Sequence, residues 1–133
     1  SLHMGAWFRE KNIHWDIIIT SSAFRAEQTA SLVAEGMKLE NFRLLPEDVL
    51  YEASVRQLLE YINNIEDAYS SVLMIGHNPA ISYLAEYLTK GDIGDMAPGA
   101  VVVVKFAFSS WKQVSENSGV LDRYTSPQQV VKF

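Results

Sequence analysis

Two residues have the type and the placement to handle an anion. Arg25 lies a few positions past the β-branched run Asp16-Ile17-Ile18-Ile19-Thr20, and His77 lies just past the apolar run Ser71-Val72-Leu73-Met74-Ile75. Arginine presents a planar fork of N–H donors that matches phosphate or carboxylate oxygens, and histidine is the side chain whose charge changes nearest neutral pH. Arg25 falls in the first turn of a helix, where a positive charge is slightly unfavourable to the helix dipole, so its position there asks for a purpose. A lone histidine after a strand is more often a hydrogen-bonded structural residue than a catalyst. What singles out His77 is the comparable place of Arg25 in a second unit.

The elements that must bring the two together are legible from periodicity. Asp16–Thr20, closed by Ser21-Ser22, reads as a strand buried on both faces. Ala26, Ala30, Val33 and Met37 then mark one face of a helix, with Gly36 near its end. Phe42-Arg43-Leu44-Leu45 reads as a second strand, and Val55, Leu58, Leu59, Ile62 and Ile65 as a helical stripe. Ser71–Ile75 is a third, buried strand. It is followed by the turn Gly76-His77-Asn78-Pro79, with Asn78 suited to the helix cap and Pro79 to the first helical position, and by a helix face of Ile81, Leu84, Ala85 and Leu88. Ahead of them all, Met4, Trp7 and Phe8 at i, i+3 and i+4 predict the last turns of an amphipathic helix running to about Asn12.

This alternation predicts an α/β fold of three layers, α/β/α, with a mainly parallel sheet covered on both faces. In such sheets ligands bind outside the carboxyl ends of the strands, where the following helices point their N-termini, and an anion is the natural occupant. Lys90–Gly99 reads as a loop and Ala100–Phe108 as another central strand. Trp111–Ser115 and Val120–Tyr124, separated by Glu116-Asn117-Ser118-Gly119, read as a hairpin appended to the sheet. No internal repeat, low-complexity tract or second domain is visible.

Composition narrows the function classes. The 133 residues, 48% of them hydrophobic with four prolines and seven glycines, suit one domain with its own core. A net charge of -5 disfavours nucleic acid as a partner. Without cysteine there is neither disulfide nor thiolate metal site. The stretch Ala100–Phe108, interrupted by Lys105, falls well short of the roughly 20 residues of a membrane span. A cytoplasmic location without membrane contact is the expectation. His3 and His14 have no carboxylate or histidine at ligand spacing, so they read as structural and no metal is expected. Glu47, Asp48 and Glu52 form an acidic connection of the kind that is usually just solvated; Glu52 is retained as a candidate proton donor.

At this point the motifs carry a resemblance. Thr20-Ser21-Ser22-Ala23-Phe24-Arg25-Ala26-Glu27-Gln28-Thr29-Ala30 resembles the Ser-Pro-x-x-Arg-Ala-x-Gln-Thr-Ala signature of the histidine phosphatase superfamily, with Ser22 where the family commonly has proline. Val72–Pro79 resembles the strand and Gly-His-Asn-Pro turn of its SixA-type phosphohistidine phosphatase branch. Leu50-Tyr51-Glu52-Ala53-Ser54, opening the intervening helix, and the late Trp111 hairpin are also similar to that branch, so the matches cover nearly all of the chain.

The resemblance implies a phosphoglycerate mutase-like fold and a phosphatase that needs no cofactor. It also implies Arg25 and His77 as catalytic phosphate ligands, with Ser21 and Asn78 beside them at the phosphate. In the family an Arg-His-Gly motif on an N-terminal strand supplies a nucleophilic histidine. No Arg-His-Gly occurs in these residues, and His3 stands too close to Arg25 to take that role. The chain is therefore expected to lack that strand, and since the strand would be central, to expose strand edges and an apolar face. The implied substrate is phosphohistidine on a protein. A small phosphate ester, for which Glu52 would serve as acid, and a non-catalytic phosphate-binding module without the nucleophile are the competing readings.

Overall fold

Strand β1 (Ile17–Ser21) is the axis of the molecule: in the computed structural model, which describes residues 2–38 and 43–127, it pairs in parallel with β2 (Arg43–Glu47) on one side and β3 (Val72–Ile75) on the other. All five residues of β1 are buried, as its β-branched run predicts for a strand covered on both faces. Successive side chains alternate faces. Ile18 points toward α2 (Phe24–Met37) and packs with Ala30 and Ala34. Ile17 and Ile19 join Leu58 and Ile62 of α3 (Val55–Asn63) and Leu84 and Leu88 of α4 (Ala80–Thr89). Each such fully buried isoleucine contributes about 1.5–3 kcal/mol relative to exposure. The result is the predicted three-layer α/β/α sandwich.

Helix α1 (Leu2–Glu10) lies against α2 at an unusually close crossing. A Cβ placed on Gly5 would lie 2.1 Å from the carbonyl oxygen of Val33, and one on Gly36 would lie 2.2 Å from that of Leu2. Gly36 thus serves a helix crossing, while the left-handed C-cap of α2 is Lys38. Helix α3 begins at a complete capping box formed by Ser54 and Gln57. The stretch Leu50–Ala53 ahead of it is a 3-10 end and turn, not the opening of the helix. Phe42 of the second predicted strand lies outside the described residues.

The remaining strands depart from expectation. β4 (Val101–Phe106) pairs antiparallel with β5 (Gly119–Thr125) in a sheet of its own, so the C-terminal hairpin is present but is formed by those two strands. Residues 111–113 are a 3-10 turn instead of the first hairpin strand. Trp111 is fixed there by its indole N–H donating to Tyr69 and by its backbone N–H donating to Asp67. Among the described residues neither β4 nor β3 has a strand partner on its second edge, which is why β4 is not central and β3 is half-buried where the sequence predicts full burial.

Both bare edges line one open cleft of about 1320 Å³. Apolar clusters bridge it on each side: Val101 and Val103 pack with Leu73 against Trp7 and Trp15, and Phe106 and Trp111 join the cluster that holds Val72 and Met74. The indole N–H of Trp15, also on the cleft wall, is buried without a hydrogen-bond partner among the described residues. Among the described residues no helix is long and apolar enough to cross a membrane.

Candidate active site

The candidate residues collect at the carboxyl ends of β1 and β3. His77 follows β3 by one glycine, and its Nε2 lies 2.8 Å from Oγ of Ser21, the last residue of β1. Ser21 has no exposed surface, and its Oγ also accepts the N–H of Ala23 at 3.2 Å. That bond turns the chain into α2. The N-cap of α2 is Ala23, which has no side chain able to cap, so the first amides of the helix keep their donors for an outside acceptor. Arg25 sits in this first turn. It is exposed, has no ion pair or hydrogen bond among the described residues, and lines the same cleft as Gly76, His77 and Asn78.

Asn78 does not cap α4. Its Oδ1 accepts from the hydroxyl of Ser82 and its Nδ2 donates to the carbonyl of Met96, tying α4 to the loop before β4. The peptide between Asn78 and Pro79 is cis, and Pro79 takes the cap position, one residue before the helix. Ser82, fully buried, completes the knot by accepting the N–H of Met96.

Of the acidic group before α3, Glu47 is opposite Ser21 in the sheet register but accepts a hydrogen bond from the phenol of Tyr61. Asp48 and Glu52 are exposed. Periodicity does not reveal the aromatic neighbour of the site: the ring of Tyr51 lies 6.0 Å from that of His77, at an interplanar angle of 54°. Its only signal in the sequence is its place in the Leu50–Ser54 match. His14 pairs with Asp16 at 3.5 Å at the opposite end of β1. Among the described residues no three His, Asp or Glu side chains converge as a metal site would require.

A histidine, an exposed arginine and helix amides without a side-chain cap thus follow the carboxyl ends of β1 and β3, and all three are donor types that suit an oxyanion. No family model matches the chain, and no curated protein does. Solved structures do, and what they show is the fold: a phosphoglycerate mutase-like α/β fold, in the form that SixA proteins also take. A protein from Nakamurella multipartitia assigned as phosphohistidine phosphatase SixA superposes with a TM-score of 0.79 at 18% identity, over 95% of this chain and 79% of that one. The protein histidine phosphatase SixA complexed with tungstate gives 0.75 at 22% identity, over 95% and 78%. A protein from Agrobacterium tumefaciens with the same assignment gives 0.78 at 17% identity, over 95% and 77%.

Proposed function

We propose that this chain is the larger part of a SixA-type phosphatase that hydrolyses phosphohistidine on a protein. The observation that carries this reading is the placing, in a SixA-like fold, of His77 beside Ser21 and of the exposed Arg25 after the carboxyl ends of β3 and β1, on the wall of one cleft. Tungstate, held by one of the structural neighbours, is a tetrahedral oxyanion like phosphate.

In the proposed reaction a histidine nitrogen attacks phosphorus. The bond from phosphorus to the substrate's imidazole breaks, its electron pair returns to that nitrogen, and the ring, already protonated on its other nitrogen, leaves as neutral imidazole. Water then attacks the phosphorylated histidine, releasing inorganic phosphate and restoring the nucleophile. Arg25, His77 and the amides of α2 stabilise charge on the equatorial oxygens throughout. An imidazole leaving group needs less help from an acid than an alkoxide does, consistent with the engagement of Glu47 by Tyr61.

The nucleophile is assigned to an N-terminal strand seated in the cleft between β3 and β4. Support for this comes from the two strand edges and the Trp15 indole that face the cleft without a partner among the described residues. The partner is a phosphorylated protein. The test is turnover of the encoded protein, with all residues preceding Ser1, on a phosphohistidine peptide and on sugar phosphates, each in EDTA. Preference for the peptide without metal is expected. Preference for the sugar phosphates would move the assignment to a small-molecule phosphatase with Glu52 as the acid, and loss of turnover in EDTA would refute the covalent, metal-free route.

A further inference from the structure

Ser21 is a buried hydroxyl whose use in the site is not set by its resemblance to a phosphate ligand. It has no exposed surface, and its Oγ has two neighbours within hydrogen-bond reach: the N–H of Ala23, which it accepts at 3.2 Å, and Nε2 of His77 at 2.8 Å. A serine hydroxyl has one proton to donate and two lone pairs. Ala23 takes a lone pair. Nε2 is then the one acceptor available to the hydroxyl proton among the described residues, and a buried O–H left without an acceptor is costly.

We propose that Ser21 is a positioning residue that fixes the tautomer of His77. The hydroxyl donates to Nε2, so the proton of the neutral imidazole is confined to Nδ1, which has no partner among the described residues. Protonation of the ring leaves Nδ1–H in place, since both nitrogens of imidazolium carry hydrogen. His77 therefore offers an oxyanion an Nδ1–H donor in either charge state. The ring of Tyr51 lies beside the imidazole, 6.0 Å between centroids. The tautomer stands on geometry alone, whereas its catalytic value rests on the phosphatase reading.

The chain has three histidines, so heteronuclear NMR can report the protonation of each ring nitrogen, with His77→Gln identifying the His77 signals. Neutral His77 is expected to carry its proton on Nδ1. Ser21→Ala should yield a mixture containing the Nε2–H form, while Ser21→Thr, which keeps a hydroxyl, retains the original pattern. In the phosphatase, kcat should fall about tenfold or more in Ser21→Ala, the loss that follows when a hydrogen bond to a charged group is no longer held in place, and should recover in Ser21→Thr. An Nε2–H tautomer in the unmodified chain, or an unchanged tautomer in folded Ser21→Ala, overturns the proposal. If Ser21→Ala does not fold, the tautomer of the unmodified chain decides. An Nδ1–H tautomer together with no hydrolysis of phosphohistidine by the longer protein would refute the functional reading and leave the role of Ser21 intact.

Discussion

The phenol of Tyr61, in the last turns of α3, donates to the carboxylate of Glu47 at the end of β2, so the acidic side chain nearest Ser21 in the sheet register is already engaged. Burial first, then the hydrogen bond and the negative charge of Glu47, raise the pKa of Tyr61 above that of an exposed tyrosine. A phenol with a raised folded-state pKa lends stability that is fully present below the unfolded value, about 10, and is lost as pH rises from there toward the folded value. In an alkaline ultraviolet titration Tyr61 should ionise after the exposed tyrosines. Glu47→Gln should bring it back toward them. A titration unchanged by Glu47→Gln would show that the pair does not set the shift.

Arg25 should be the most sensitive charged position of the proposed phosphatase. Arg25→Ala is expected to lower turnover about a hundredfold, on the order of 3 kcal/mol for a donor that stabilises transition-state charge. Arg25→Lys keeps the charge but loses the fork and should fall between. Changes at exposed Arg9, in α1, should be silent. Near-normal rates in folded Arg25→Ala would reduce Arg25 to a helix-surface residue.

Asp16 ties the starts of β1 and β3 together by accepting from the Ser70 backbone at 2.8 Å, from the Ser70 hydroxyl at 2.9 Å and from the Ser71 backbone at 3.3 Å. Burial pushes its pKa up, but these bonds, with help from His14, outweigh burial and hold the carboxyl below its ordinary value. Its stabilising effect is therefore present above about pH 3.9 and disappears as pH falls through the lower folded value. Urea midpoints of the protein and of Asp16→Asn should differ at neutral pH and converge in acid. A gap that persists at low pH would assign the effect to something other than the carboxylate.

The crossing of α1 and α2 predicts a steric penalty. Gly36→Ala must push Leu2 and its helix away, since the new carbon would sit far inside contact distance of a backbone oxygen. A loss of about 1–3 kcal/mol, or more, is expected in denaturant unfolding. Ala34→Gly, in the same helix, instead removes a buried methyl and serves to separate packing loss from clash. Unchanged stability in Gly36→Ala would mean that the helices part freely.

Much of this architecture can be read without coordinates because β1, α2, α3 and α4 each announce themselves locally. Ile17–Ile19 can only be a strand covered twice, and Ala26, Ala30 and Val33 can only be one helical face. The positions of Arg25 and His77 are legible for the same reason, as each follows a recognisable strand. What is not legible depends on distant partners. Val101–Val104 has the composition of a central strand, and its sheet position is decided by Gly119–Thr125 across the hairpin. Trp111 resembles a strand residue until its indole finds the carbonyl of Tyr69. Asn78 has the chemistry of a cap, but Ser82 and Met96 take its amide. Gly36 looks like a helix terminator, although what excludes a side chain there is the backbone of α1.

The open cleft between β3 and β4 also governs how this molecule meets its neighbours. Strand edges recognise the backbone of whatever extended chain arrives, so the contest for such a slot is decided by concentration more than by side-chain identity. An extended segment on a short flexible tether in the same polypeptide samples the slot at an effective concentration on the order of millimolar, far above that of strands on separate molecules in dilute solution. Connectivity then selects the occupant, and the indole of Trp15 lies on the wall such a backbone would pass. With no tethered strand in the slot, the same two edges are open to the strands of other copies, so self-association of the chain would rise with its own concentration.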